Sequence, residues 1–311
     1  MAISTFRSDD AARRYFQLYD RVAATWPVAS DEWDLTTSFG PTHIRRSGPD
    51  QGVPLVLIHP TSGASLGWAR IIEPLAGTRP VITPDTMGTI GRSVQTAGID
   101  SIDDLSRWLD ETLDALDYDR VHLLGYSEGG WIAGCHATST THPDRIMSLT
   151  LVEPAGAIEE MPRRRLVALM ARAMRTLAAR DKAAAVRSFN QWLSGDIELS
   201  DDEVDLVLMA FRSFRQRLPR PKRVSDDALR RIVAPTLVLL GQDSKILDPD
   251  SVRRRATSLM PDVVVEIVPD VGHGLPFQRP DTTARRILDF IEQAEAHPHQ
   301  PGHKDSPAPP R

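Results

Sequence analysis

The stretch Arg120–Ala133, reading R-V-H-L-L-G-Y-S-E-G-G-W-I-A, restricts this chain more than any other. Val121, Leu123 and Leu124 make a short apolar run suited to a buried strand, and Gly130-Trp131-Ile132-Ala133 reads as the start of a helix. A strand that becomes a helix within so few residues needs a tight bend with its central residue strained. Glycines two positions either side of Ser127 let strand and helix approach there. The pattern is G-x-S-x-G, which lifts a serine hydroxyl clear of a sheet. An ordinary strand–helix loop is the plainer alternative.

The surrounding chain alternates strands and helices. Apolar runs at Pro54–Ile58, 81–83, 146–152, 235–240 and 263–268 read as strands, the first buried on both faces. Before them, 33–38 and 43–46 pair as a hairpin about Gly40-Pro41. Ser8 caps a helix to about Ala24, one helix covers 66–75, another runs from Ser101 to Leu116, and a last spans 282–294. Alternation of this kind implies crossover connections and a parallel sheet. Between Gly156 and about Ile232 the pattern is helical throughout, with no strand. The expected organisation is an N-terminal helical extension (1–30), an α/β core (31–156 and 233–294), an all-helical cap (157–232) and a disordered tail (295–311) too polar and proline-rich to pack.

A serine hydroxyl attacks a carbonyl only when a base takes its proton, and the base works best when a third group orients it. Of nine histidines, His273, between Gly272 and Gly274 beyond the last strand, is best placed to be that base. His59 is expected to brace its loop. For the acid, Asp243 follows the 235–240 strand and is favoured; Glu153, directly after the 146–152 strand, is the alternative. Negative charge building on the carbonyl oxygen needs fixed N–H donors. The amides of Glu128 and Thr61 are the expected pair, because Pro60 has no N–H. Trp68 and Trp131 are candidates for lining an acyl pocket, with core packing an equally good account of both.

These residues carry a resemblance. His59-Pro60, Pro84-Asp85-Thr86-Met87-Gly88 with Gly91-Arg92-Ser93, the elbow, Gly241-Gln242-Asp243 and Gly272-His273-Gly274 resemble the α/β-hydrolase fold superfamily, in particular its carboxylesterase-like members with a helical cap. The likeness runs from about Thr36 to Ile291. It implies a mostly parallel sheet flanked by helices and a serine hydrolase with a Ser127–Asp243–His273 triad, although some related folds place the acid where Glu153 lies. His-Pro replaces the family's usual His-Gly, which leaves the second oxyanion donor open. Serine at the elbow argues against the dehalogenase and epoxide hydrolase branches. The implied reaction is hydrolysis of a carboxylic ester, lactone or thioester of a small or medium acyl compound. A lyase, cyclase or acyltransferase using the same residues is the alternative, and a non-enzymatic binding protein a third.

Composition removes other classes. A net charge of −5 gives no reason to expect nucleic acid or an anionic membrane surface as partner, and the basic clusters at 163–165 and 212–222 read as solvated helix faces. One cysteine, Cys135, excludes an internal disulfide. No signal-peptide core or spanning segment is evident, so a cytoplasmic location is expected. No H-E-x-x-H, cysteine pair or G-x-G-x-x-G after the first strand is present, so neither a metal nor another cofactor is expected.

Overall fold

The computed structural model describes residues 2–61 and 63–297. Strand β1 (Thr5–Phe6) precedes helix α1 (Asp9–Ala23), whose cap is the Ser8 side chain accepting the Ala11 N–H. The hairpin is longer than expected, β2 (Ser30–Thr37) and β3 (Gly40–Ser47), because the two strands pair in register over their whole length. Next come β4 (Leu55–Ile58), α2 (Ile72–Leu75), β5 (Val81–Pro84) and α3 (Ile102–Ala115). The single helix expected over 66–75 is instead a 3-10 turn at Ser65–Trp68 followed by the short α2. A proline, Pro74, lies in that short helix and Gly67 in the turn, so the region lacks a long run of good helix formers. Ser101 and Asp104 close a capping box on α3, which turns Leu105, Trp108, Leu109 and Leu113 inward.

The elbow strand β6 (Val121–Tyr126) leads into α4 (Glu128–Ser139), then β7 (Ile146–Val152). Three helices follow, α5 (Arg163–Ala178), α6 (Lys182–Ser194) and α7 (Asp201–Ser213). The chain closes with β8 (Phe214–Arg215), α8 (Asp226–Arg230), β9 (Thr236–Gly241), α9 (Pro249–Leu259), β10 (Val263–Val268), α10 (Leu275–Gln278) and α11 (Pro280–Ala296). Helix α11 passes beyond 294; the rest of the segment expected to be disordered, 298–311, lies outside the described residues.

Eight strands form one sheet in the order β10-β9-β7-β6-β4-β5-β3-β2. Only β3 pairs antiparallel, with both its neighbours, so seven strands share one direction and the sheet is an α/β sheet of mostly parallel strands. The central strands β4, β6 and β9 are buried along their whole length, as their unbroken apolar runs require. One core packs α3 and α4 against one face; a second packs Trp68, Ile71, Ile72 and α11 against the other.

A third cluster forms where α1 packs on the body, as the three- to four-residue spacing of its apolar residues predicts. Tyr15, Leu18 and Tyr19 of α1 lie between Ala64, Leu66 and Ile90 of the body and Leu206 of α7. Strand β1 pairs antiparallel with β8, which interrupts the segment expected to hold no strand. Two-residue strands carry no periodicity to read; this pair is fixed by the Phe6 and Phe214 rings packing edge-on, 5.2 Å between centroids.

His122 gives the fold a pH dependence. It is buried within β6, with Nδ1 2.8 Å from Ser148 Oγ and Nε2 3.2 Å from a Glu295 carboxylate oxygen. Burial lowers its pKa from 6.5 to about 4, outweighing the nearby Glu295 carboxylate. The folded protein therefore keeps this ring neutral where the unfolded chain already binds a proton. Stability contributed by the neutral ring is complete above about pH 6.5 and is lost as pH falls toward 4, by about 3 kcal/mol at the acid end. Urea unfolding across that window should show the decline, with a shallower slope in His122→Gln. An equal slope in the two proteins would contradict the assignment.

Candidate active site

Ser127 sits between β6 and α4 with φ 56° and ψ −117°, in a region non-glycine residues rarely occupy. Its neighbours hold it there. The Ser127 N–H donates to the Val152 carbonyl (3.0 Å), and the Ser127 carbonyl accepts from Trp131 and Ala155 N–H (both 3.1 Å). A Cβ on Gly125 would collide with the Gly129 carbonyl, and one on Gly129 with the Ile58 carbonyl. The two glycines are thus required by close approach of backbone segments, as the motif implied.

His273 lies past β10, in the turn before α10, and is buried. The Tyr126 hydroxyl donates to the His273 carbonyl at 2.8 Å, and the two rings lie 5.3 Å apart. Gly241 permits this approach, since a Cβ there would strike the Gly272 carbonyl. The imidazole then spans two partners: Nε2 is 3.0 Å from Ser127 Oγ and Nδ1 is 2.8 Å from Glu153 Oε2.

The acid on the histidine is therefore Glu153, not the favoured Asp243. Glu153 is fully buried and accepts three hydrogen bonds, from the Gly241 N–H (2.7 Å), the Ser244 hydroxyl (2.6 Å) and His273. Asp243 is exposed; its backbone N–H donates to the Val271 carbonyl and so helps shape the histidine loop. The two side chains differ in burial: Glu153 is buried and accepts the Gly241 N–H at the end of β9, whereas Asp243, two residues past β9, is exposed. Glu153 also has a positive φ of 46°, and its own N–H donates to the Leu239 carbonyl across the sheet. That backbone strain is invisible in sequence, while Gly-Gln-Asp after a strand drew attention to the wrong carboxylate.

The loop after β4 lies across the elbow from this pair. His59 is buried, and its Nε2 accepts the Thr86 N–H at 2.9 Å, so the ring proton resides on Nδ1, which donates to the Pro60 carbonyl (2.8 Å). Burial lowers its pKa despite nearby Asp85, and the neutral ring is fixed at both nitrogens. Asp85 in turn is buried and accepts the Ser65 and Arg92 N–H groups, both at 2.7 Å. This explains the Asp85…Gly91-Arg92 pattern: any side chain at 91 would press on the carboxylate. The Thr61 hydroxyl donates to Glu128 Oε2 (2.8 Å), and Gln216 Nε2 donates to Glu128 Oε1 (3.2 Å). Burial pushes the Glu128 carboxyl above its ordinary pKa, with both hydrogen bonds opposing the rise.

The two candidate pocket residues are packed into the cores. Trp68 is buried beside Ile71 and Ile72 with its ring 6.2 Å from Tyr126. Trp131, in the first turn of α4, is buried, its Nε1 donating to the Lys222 carbonyl at 3.0 Å. Both serve to seat neighbouring segments; Trp68 backs the tyrosine that holds His273. Among the described residues, no cluster of three or more His, Cys, Asp or Glu has a metal-binding arrangement, and no helix is long and apolar enough to cross a membrane.

Known proteins share this fold. Residues 55–286 match the family model described as the alpha/beta hydrolase family. Carboxylesterase YbfK of Bacillus subtilis is 25% identical over 92% of this chain and 96% of its own length. The uncharacterized carboxylesterase nap of the same organism is 26% identical over 91% and 93%. The crystal structure of the B. subtilis naproxen esterase superposes with a TM-score of 0.83 at 26% identity, covering 92% of this chain and 99% of that one. The chain belongs to the alpha/beta hydrolase family.

Proposed function

We propose that the protein is a serine carboxylesterase. The observation that carries this reading is the continuous path from Ser127 Oγ through both nitrogens of His273 to Glu153, at 3.0 and 2.8 Å. The relatives with carboxylesterase names favour an ester over a lactone or thioester, and net hydrolysis over a lyase or acyl-transfer reaction.

Ser127 Oγ attacks the ester carbonyl carbon while His273 Nε2 takes its proton. Glu153, accepting from Nδ1–H, fixes the tautomer and stabilises the imidazolium. Collapse of the tetrahedral intermediate expels the alcohol, protonated by His273, and leaves an acyl-serine. Water attacks next, giving its proton to His273, and the acid product leaves. The elbow geometry supplies one oxyanion donor, the Glu128 N–H at the first turn of α4, where amides lack a helical partner and the helix dipole favours negative charge. The Thr61 N–H is the second, and the Thr61–Glu128 side-chain bond ties the two donor residues together.

Hydrolysis of a panel of nitrophenyl esters tests the reading. Turnover of short or medium acyl chains is expected, and its absence across the panel on folded protein would contradict it. Thr61→Val keeps the amide and the shape but removes the bond to Glu128. We expect kcat to fall roughly ten- to hundredfold with KM little changed, since a small misplacement of a donor costs that much. Unchanged kcat would show that the Thr61–Glu128 side-chain bond does not position the oxyanion donors.

A further inference from the structure

We propose that the outer face of α5 is a docking surface for an anionic lipid membrane. Helix α5 is seated by its inner side alone. Arg165 donates to the Ser244 carbonyl (3.0 Å), the Arg172 guanidinium lies 4.7 Å over the Trp192 ring, and Leu169 packs against the main core. At helical spacing the other side presents Leu166, Val167, Met170, Met174 and Leu177, all exposed, with Val167 and Met174 at 66% and 67%. A helix that only covered a core would turn this stripe inward, as α1 turns Tyr15, Leu18 and Tyr19.

Charge identifies what covers it. All six charged residues between Glu160 and Asp181 are arginines, in a chain whose net charge is −5. Two of the six, Arg165 and Arg172, are engaged on the inner side. Arg163, Arg164, Arg175 and Arg180 are exposed, and among the described residues none of them pairs with a carboxylate. A second copy packed on this face would bring the two sets of arginines together. A bilayer of anionic lipid satisfies both features: the stripe enters the acyl boundary and the arginines meet phosphates. The whole-chain charge that argued against a membrane partner conceals this local surplus. Arg165 reaches the Ser244 carbonyl, and the Ser244 hydroxyl donates to Glu153, so the docked helix lies against the loop that supports the active site.

Sedimentation of the full chain with vesicles of phosphatidylcholine, or of phosphatidylcholine mixed with phosphatidylglycerol, tests this without turnover. Its failure therefore leaves the esterase reading untouched. Binding to the mixed vesicles only, weakened by salt, is expected. Arg163→Gln/Arg164→Gln/Arg175→Gln should weaken it by about a hundredfold, since each arginine near the surface contributes about fivefold. Separately, Met170→Ser/Met174→Ser should weaken it by roughly tenfold or more through lost apolar burial. Both variants change exposed side chains, so thermal unfolding and soluble-ester turnover should match the parent. Binding that ignores lipid charge, binding that survives either variant, or no binding at all overturns the proposal. So does a dimer, seen by light scattering, that both variants dissolve.

Discussion

Glu153→Gln is expected to lower kcat by about 10⁴-fold while Asp243→Asn stays within a factor of about two of the parent. Glutamine fills the same buried volume and its oxygen can still accept from the Gly241 N–H, while its NH2 takes the Oε2 position and donates to a Ser244 hydroxyl turned to accept. It fails at the third partner. An amide N–H facing His273 Nδ1 favours the tautomer with its proton on Nε2, where the ring can no longer take one from Ser127. Asp243 supplies only its backbone to the histidine loop, so a side-chain change there leaves the path intact. Thermal unfolding of both variants separates loss of chemistry from loss of fold. A large drop in Asp243→Asn with an active Glu153→Gln would return the acid to the position favoured from sequence.

Ser127→Ala should remove essentially all turnover, by about 10⁵- to 10⁶-fold, because nucleophile and base act as a unit. The variant should fold, and alanine at φ 56° keeps the same backbone constraint that serine bears. His273→Ala should cost about as much, and the double variant little more, since either change alone already breaks proton transfer. Losses that multiply instead would show that the two side chains work independently.

Much of the architecture was legible because its signals are local. The apolar runs of β4, β6 and β9, the capping box at Ser101 and Asp104, and the paired glycines about Ser127 each encode their structure within a few residues. His273 was identifiable by its flanking glycines and its place after the last strand. The acid was not, because two carboxylates follow two strands and the choice depends on which side chain is buried against the histidine loop. That burial is a long-range property. The same holds for β1 on β8 and for the choice of α7 as a partner of α1, contacts between segments about two hundred residues apart; the periodicity of α1 announces a packing face but does not name α7. Trp68 and Trp131 illustrate the converse: large aromatics near a site are more often its foundation than its lining.

The measurement that bears most directly on the central claim is capture of the covalent intermediate. Protein quenched during turnover of a slowly deacylating nitrophenyl ester, then digested and weighed by mass spectrometry, should carry the acyl group on the peptide containing Ser127. The adduct should form far more slowly in Glu153→Gln and be absent in Ser127→Ala. An acyl group on another residue, or rapid hydrolysis with no adduct and an active Ser127→Ala, would contradict the account.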